Sequence, residues 1–172
     1  MFRVVAIIAI LLAAAIVFFR LSGGAAATGP SPLRQGRRWQ QLIWLMMLIG
    51  AAVGALTGIG TLIFFGPPIG GWTLILHCLA APLFAIGIAV IALLWAGSYM
   101  RGNCAGCCSF WGMLISGMIA MFSIAFTMTP LFANQHFLIS VHRWSSLAMV
   151  FFMALHAARV FAASRAAQRT GA

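Results

Sequence analysis

The chain has 172 residues, of which 64% are hydrophobic and only 6% charged, and its charged side chains are ten arginines with no aspartate or glutamate. A soluble domain with so little charge would expose large apolar surfaces, so the composition indicates a membrane protein. The lack of carboxylate side chains excludes acid–base catalysis by a carboxylate pair. The arginines lie at the ends of apolar runs and form no basic stripe between aromatic residues, which argues against a nucleic-acid partner.

Five apolar runs follow one another along the chain: Val4–Phe19, Leu42–Phe65, Trp72–Ala96, Phe110–Leu131 and Phe137–Ala163. A helix of about 20 residues crosses a bilayer core of about 30 Å, and the last four runs are long enough. The first run is shorter, and its flanking arginines could reach the two interfaces. We therefore predict an all-α membrane protein in which residues 39–165 form a four-helix transmembrane bundle.

The N-terminal run has two interpretations. Residues 1–22 are either an extra transmembrane helix or a signal-like anchor, because the small residues of "SGGAAATG" that follow suit a cleavage site. Residues 23–38 are then a linker rich in Gly, Pro and Arg. A cleaved signal would leave the Arg34–Arg38 cluster outside, so we favour a retained helix.

The distribution of arginines predicts the orientation. Connections between the first and second runs and between the third and fourth contain arginine, and so does the C-terminal end, whereas "GPPIGG" and "TPLFANQ" are uncharged. Positive charge marks the inner side of a membrane. We therefore expect five crossings, with the N-terminus outside and the C-terminus inside.

Three histidines lie within the apolar runs. His142 and His156 are fourteen residues apart, so on a helix they lie within about 40° of one face and about 21 Å apart along the axis. His77 lies near the outer end of the third run, which crosses in the same direction as the fifth. His77 and His142 are therefore expected at the same depth, where two imidazoles among Ala and Ser suit axial ligation of a haem b iron.

Other interpretations of these residues stay open. A single intramembrane histidine often hydrogen-bonds a neighbouring helix, and zinc would need further ligands, of which only Cys78 is near. Arg143, beside His142, is a candidate partner for the haem propionates, or else an interfacial anchor. His136 precedes the fifth run in an uncharged loop and is predicted to be interfacial and solvated.

Three cysteines occur in "RGNCAGCCSF", in the predicted inner loop between the third and fourth runs: Cys104, Cys107 and Cys108. A C-x-x-C pair can bind a metal or undergo redox exchange, but a tetrahedral site needs a ligand from elsewhere. We predict free thiols in a reducing compartment that are inert or lie at an interface, with a metal or partner-supplied site as the alternative.

Residues 37–163 resemble the membrane cytochrome b (gamma) subunits of respiratory formate dehydrogenase and the related anchors of thiosulfate reductases and hydrogenases. The resemblance rests on four stretches: "RRWQQLIWLMMLIGAAVGALTG", "LILHCLAAPLFAIGIAVIALL", "FWGMLISGMIAMF" and "LISVHRWSSLAMVFFMALHAARVF". That family has a four-helix bundle with two b haems. The resemblance implies that His77 and His142 bind the iron of the outer haem, and that His156 binds the iron of an inner haem beside a quinone site.

One departure from the family affects the inner haem. The family supplies its second ligand from a His-Trp pair in the first bundle helix, whereas "QQLIWLMM" has no histidine here. We therefore expect one haem b. Two haems remain the alternative, with the inner one five-coordinate or ligated by Met46 or Met47. His156 would otherwise be a relic, a helix-packing residue or a hydrogen-bond donor to quinone.

The function implied by the resemblance is electron transfer in a bacterial inner membrane. The chain would be the haem-containing anchor of a respiratory oxidoreductase complex, passing electrons between an outer-face iron–sulfur partner and the quinone pool, while a catalytic subunit oxidises the substrate. The alternative is a haem-free structural or assembly subunit whose histidines join helices or bind a lipid or quinone head group. A small transporter is disfavoured because no acidic residue is present for ion coupling.

Overall fold

The computed structural model describes residues 2–22, 38–66, 69–100, 104–130 and 134–169. Regular structure within these ranges is helical, with no strand. It comprises five helices: α1 (Phe2–Ser22), α2 (Arg38–Phe64), α3 (Gly71–Met100), α4 (Cys104–Thr127) and α5 (Gln135–Arg169). The predicted fold class is confirmed, whereas the predicted linker lies outside the described residues except for Arg38.

Four of the helices are long and apolar enough to cross a membrane: Arg38–Phe64, Gly71–Gly97, Gly106–Thr127 and Gln135–Arg159. The first helix contributes a shorter apolar stretch, Phe2–Ile16. Large apolar side chains point outward along these helices; the Leu93 side chain, for example, is 86% exposed. Lipid tails solvate such side chains as well as a protein core does, so this surface is the one expected of a bundle inside a membrane.

The helices associate as two antiparallel pairs. Helix α2 packs along α3 and α4 packs along α5, while α1 lies against α5. Glycines permit the close approach: a Cβ built on Gly50 would lie 2.8 Å from the backbone nitrogen of Phe84, and one on Gly87 would lie 2.7 Å from the Cβ of Met47. Small residues at the interface are the usual means by which transmembrane helices pack.

A π-helical turn, Leu56–Gly60, interrupts helix α2 between α-helical segments Arg38–Ala55 and Thr61–Phe64. Its backbone hydrogen bonds run from i to i+5 instead of i+4, so one extra residue enters the turn and the helix faces shift. The turn contacts helix α3. Such insertions are rare and often occur at functional sites, and the apolar periodicity of this run did not predict it.

Two helices begin earlier than the apolar runs indicated. Helix α4 begins at Cys104, so Cys107 and Cys108 lie in its first turns and the prediction of a loop there was wrong. Helix α5 begins at Gln135 because Asn134 caps it: the backbone N–H of Phe137 donates to Asn134 Oδ1 at 3.0 Å. His136 therefore lies in the first helical turn and not in a loop, although its side chain is exposed as expected.

Candidate functional site

The imidazole of His77 is fixed by helix α2. Its Nδ1 lies 3.1 Å from the backbone oxygen of Gly54 and 3.1 Å from Oγ1 of Thr57. The Thr57 hydroxyl donates its own proton to the backbone oxygen of Val53 at 2.6 Å, so its oxygen acts as an acceptor toward the ring. Both groups facing Nδ1 are thus acceptors, which assigns the proton to Nδ1 and leaves a lone pair on Nε2.

The π-helical turn makes room for this ring. A Cβ built on Gly58 would lie 2.9 Å from Cε1 of His77 and 3.3 Å from Nδ1. Gly58 is therefore the residue of the turn that sits against the ring edge, while Thr57 and Gly54 face its Nδ1. The π-helical turn of α2 therefore both makes room for the His77 ring and helps to provide its hydrogen-bond acceptors.

The imidazole of His142 is fixed in the same way by the other helix pair. Its Nδ1 lies 2.8 Å from the backbone oxygen of Ala120 on helix α4. A carbonyl oxygen can only accept, so Nδ1 carries the proton and the lone pair is again on Nε2. Metal-bound histidines usually donate their other ring N–H to a carbonyl or carboxylate, which fixes the tautomer and the ring orientation.

The two rings meet between the helix pairs. The ring centres of His77 and His142 are 6.2 Å apart and their planes are nearly perpendicular, at 87°. Each ring is held by a carbonyl of the neighbouring helix in its own pair. The expectation that helices α3 and α5 bring these two side chains to one depth is confirmed, whereas iron ligation stays a prediction.

The described geometry of the pair is that of two rings in T-shaped contact, with centres 6.2 Å apart. Among the described residues no group of three or more His or Cys could hold a metal ion. A haem needs only the two axial ligands, because its porphyrin supplies the other four.

His156 lies in a different environment, fourteen residues further along α5. Its side chain is 3% exposed and stacks on the Trp44 indole, with ring centres 5.8 Å apart and an angle of 10°. The Phe110 ring also lies 5.8 Å from it, and Ser109 Oγ is 3.4 Å from Nδ1. These contacts favour the helix-packing interpretation of His156, while a role as ligand of a second haem stays a prediction.

The remaining candidates lie around these two clusters. Arg143 is half-buried beside His142. Met46 is 41% exposed, whereas Met47 is fully buried against Gly87. Cys107 is half-buried and Cys108 exposed; the side chain of Cys104 lies outside the described part of the structure. Cys78 is exposed, although it adjoins His77.

Four contributors to the site were not predicted from the sequence: Thr57, Gly58 and the backbone carbonyls of Gly54 and Ala120. The sequence has glycine at positions 50, 54 and 58, a spacing of four that predicts a close helix contact. Gly50 and Gly58 make such a contact, whereas a Cβ on Gly54 would have no atom within 4 Å. No sequence signal identifies the Ala120 carbonyl, because every residue provides one.

Comparison of the chain with family models, with curated proteins and with solved structures gave no match. The resemblance to cytochrome b subunits therefore rests on the four quoted stretches alone.

Proposed function

We propose that the chain is a haem b-binding, electron-transfer subunit that anchors a respiratory oxidoreductase complex in a bacterial inner membrane. The observation that supports this most strongly is the pairing of His77 with His142, each held through Nδ1 by a carbonyl of the adjacent helix. Two neutral imidazoles with Nε2 lone pairs, inside an apolar bundle, form a donor set suited to one low-spin haem iron.

Each residue of such a site would have its own role. His77 and His142 would hold the iron, and the carbonyls of Gly54 and Ala120 would keep the proton of each ring on Nδ1, which leaves Nε2 as the donor atom. Arg143 would pair with a propionate. A bound haem would supply one-electron chemistry, because its iron alternates between the ferric and ferrous states.

We propose one haem in each chain. The His156 ring stacks on Trp44 and lies 5.8 Å from the Phe110 ring, and "QQLIWLMM" has no histidine to oppose it. With the N-terminus outside, the His77 and His142 pair would lie near the outer surface. The chain would receive electrons at that surface from an iron–sulfur partner and deliver them toward quinone, with substrate oxidation in a separate catalytic subunit.

The test is a reduced-minus-oxidised optical spectrum of the purified chain, combined with pyridine haemochrome quantitation. We expect one b haem per chain, lost in His77→Ala and in His142→Ala. His136→Ala is the matched control, since His136 is an exposed histidine at the start of the same helix α5. Absence of haem from a correctly folded wild-type chain, or equal loss in the His136 variant, would overturn the proposal.

A haem-free structural subunit is the second candidate. The hydrogen bonds of His77 to Gly54 and of His142 to Ala120 join neighbouring helices, and interhelical hydrogen bonds stabilise bundles by about 0.6–2 kcal/mol. This candidate predicts that the two alanine variants lower the thermal stability of a protein that contains no haem.

A further inference from the structure

Arg159 lies on helix α5 at the level of the bundle where α4 begins. The two helices are antiparallel there, and Ser109 Oγ of α4 is 3.4 Å from Nδ1 of His156 on α5. The apolar span of α5 ends at Arg159, and that of α4 begins at Gly106. Both residues therefore mark the boundary of the hydrocarbon, where the lipid headgroups begin.

The Arg159 guanidinium is held against the bundle. Its side chain is half-buried, and Nη1 lies 4.0 Å from the position that a Cβ would take on Gly106. The guanidinium is also close enough to interact electrostatically with the His156 ring. Arg38, which begins α2 at the same end of the bundle, is exposed instead. Of these two arginines, only Arg159 is positioned by neighbouring helices.

The charge of Arg159 has no counter-charge on the side chains of this protein. The sequence contains no aspartate or glutamate, and none of the residues that the structure describes accepts a hydrogen bond from Arg159. A guanidinium has five N–H donors and binds phosphate or carboxylate through pairs of them. Burying part of such a group without an acceptor is unfavourable, so this position suits an anion that the chain does not supply.

Most of the positive charge lies at the same end of the bundle. In the sequence, eight of the ten arginines lie in segments that lead into or out of the apolar spans at this end: Arg20, Arg34, Arg37, Arg38, Arg101, Arg159, Arg165 and Arg169. Basic groups between transmembrane helices bind the headgroups of anionic lipids. An acidic protein partner would instead meet exposed arginines such as Arg38, so the half-buried position of Arg159 favours a lipid.

We propose that Arg159 binds the phosphate of an anionic phospholipid, beside Gly106 at the beginning of α4. Paired N–H groups of the guanidinium donate to the phosphodiester oxygens, while the acyl chains lie in the membrane along the bundle. A lipid fits better than a free anion, because the guanidinium lies at the edge of the hydrocarbon. The site is at the opposite end of α5 from His142 and does not depend on a haem.

The test measures binding of phosphatidylglycerol to the purified chain by native mass spectrometry. Arg159→Gln should weaken binding of the first lipid by about 10-fold, because hydrogen bonds between charged groups are lost. Arg159→Lys should keep part of the affinity, since it retains the charge but not the paired donors. Arg38→Gln is the matched control. It removes the same charge from an exposed position at the same surface and should bind lipid as wild type does.

Two further ligands identify what is bound. Phosphatidylcholine, which has no net charge, should bind more weakly than phosphatidylglycerol, and inorganic phosphate should not compete with it. Competition by inorganic phosphate would indicate a free anion, and equal loss in Arg38→Gln would indicate general attraction to a basic surface. Either result would overturn the inference, as would unchanged binding in both Arg159 variants.

Two measurements separate loss of the site from loss of the fold. Arg159→Gln should keep the helix content and the thermal stability of wild type in phosphatidylcholine nanodiscs. If Arg159→Gln does not fold, the comparison of Arg159→Lys with wild type decides. Haem per chain should be the same in all these variants, so a failure of this inference and a failure of the proposed function are distinguishable.

Discussion

Gly58 lies against the edge of the His77 imidazole, so close that a Cβ on Gly58 would be 2.9 Å from Cε1. The contact exists because the π-helical turn Leu56–Gly60 interrupts α2 at this point. Four residues earlier, the Gly54 oxygen lies 3.1 Å from Nδ1 of the same ring. One glycine thus provides space for the ring and another provides a carbonyl that orients it, so their substitution should have different effects.

We expect Gly58→Ala to reduce haem binding, because the added methyl group would displace the His77 ring from its acceptors. Misplacement of an orienting interaction typically lowers metal affinity by about 10–100-fold. The measurement is haem per chain after purification, followed by titration with haem. The four-helix bundle should still form, since the clash involves a side chain and not a helix backbone.

Gly54→Ala is the matched control for this substitution. A Cβ on Gly54 would have no atom within 4 Å, and the backbone oxygen that faces His77 is retained. Alanine is favoured over glycine in a helix by about 1 kcal/mol, so this variant should keep its haem and be at least as stable as wild type. Equal haem loss in both variants would contradict a specific role for Gly58.

Thr57→Val should change the midpoint potential of the haem without causing loss of haem. The substitution removes the Oγ1 acceptor 3.1 Å from His77 Nδ1, while the Gly54 oxygen remains. An imidazole whose N–H donates less strongly is a weaker base toward iron. We therefore expect haem to be retained with a more positive midpoint potential, measured by redox titration.

Thr57→Ser keeps the hydroxyl group and serves as the control for Thr57→Val. Its midpoint potential should stay near that of wild type. If valine and serine shift the potential equally, the cause is altered packing at position 57, and the proposed hydrogen bond has no effect on the iron.

The sequence was sufficient to predict the helices and the meeting of His77 with His142. Apolar runs of bilayer length identify spanning helices because the hydrocarbon thickness imposes that length. The alternating direction of successive spans then places both histidines at one depth. Both histidines lie at similar distances from the ends of their runs, and the contact of the two rings confirms that they lie at one depth.

The details that orient the rings could not be predicted in the same way. The π-helical turn of Leu56–Gly60 has the same apolar composition as an α-helical turn, so residue pattern does not reveal it. The acceptor for His142 is the backbone carbonyl of Ala120, and every residue has such a carbonyl whatever its side chain. The helix starts at Cys104 and Gln135 were not predicted because the residues at these ends are polar. A run of apolar residues indicates only the part of a helix that is in contact with lipid.

The stacking of His156 on Trp44 predicts that the opposite half of the bundle contributes stability and no haem. Trp44→Ala would remove the indole from a buried aromatic cluster and should lower the free energy of unfolding by about 3–5 kcal/mol. Haem per chain and the midpoint potential should stay unchanged. Thermal unfolding in detergent, together with the pyridine haemochrome assay, measures both.

Trp44→Phe tests the contribution of the indole N–H of Trp44 to stability. In the described part of the chain, Nε1 of Trp44 is a buried polar atom with no hydrogen-bond partner, and such an atom destabilises a protein by about 1–3 kcal/mol. Phenylalanine keeps an aromatic face for His156 and removes the unsatisfied donor, so its variant should be much more stable than Trp44→Ala. A fall from two haems to one in Trp44→Ala would contradict the packing role and support an inner haem.

The predicted orientation can be tested with the cysteines at the start of helix α4. Cys108 is exposed there, and the positive-inside rule assigns that end to the inner surface. In a Cys78→Ser variant, a membrane-impermeant maleimide should label the cluster of Cys104, Cys107 and Cys108 in inside-out vesicles and leave it unlabelled in intact spheroplasts.

A variant with serine at Cys104, Cys107 and Cys108 is the control. Its remaining thiol, on Cys78, lies within an apolar span and should not be labelled from either side, because maleimide reacts with the thiolate, which hydrocarbon disfavours. Labelling of the cluster in spheroplasts alone would reverse the orientation and place the His77 and His142 pair at the inner surface.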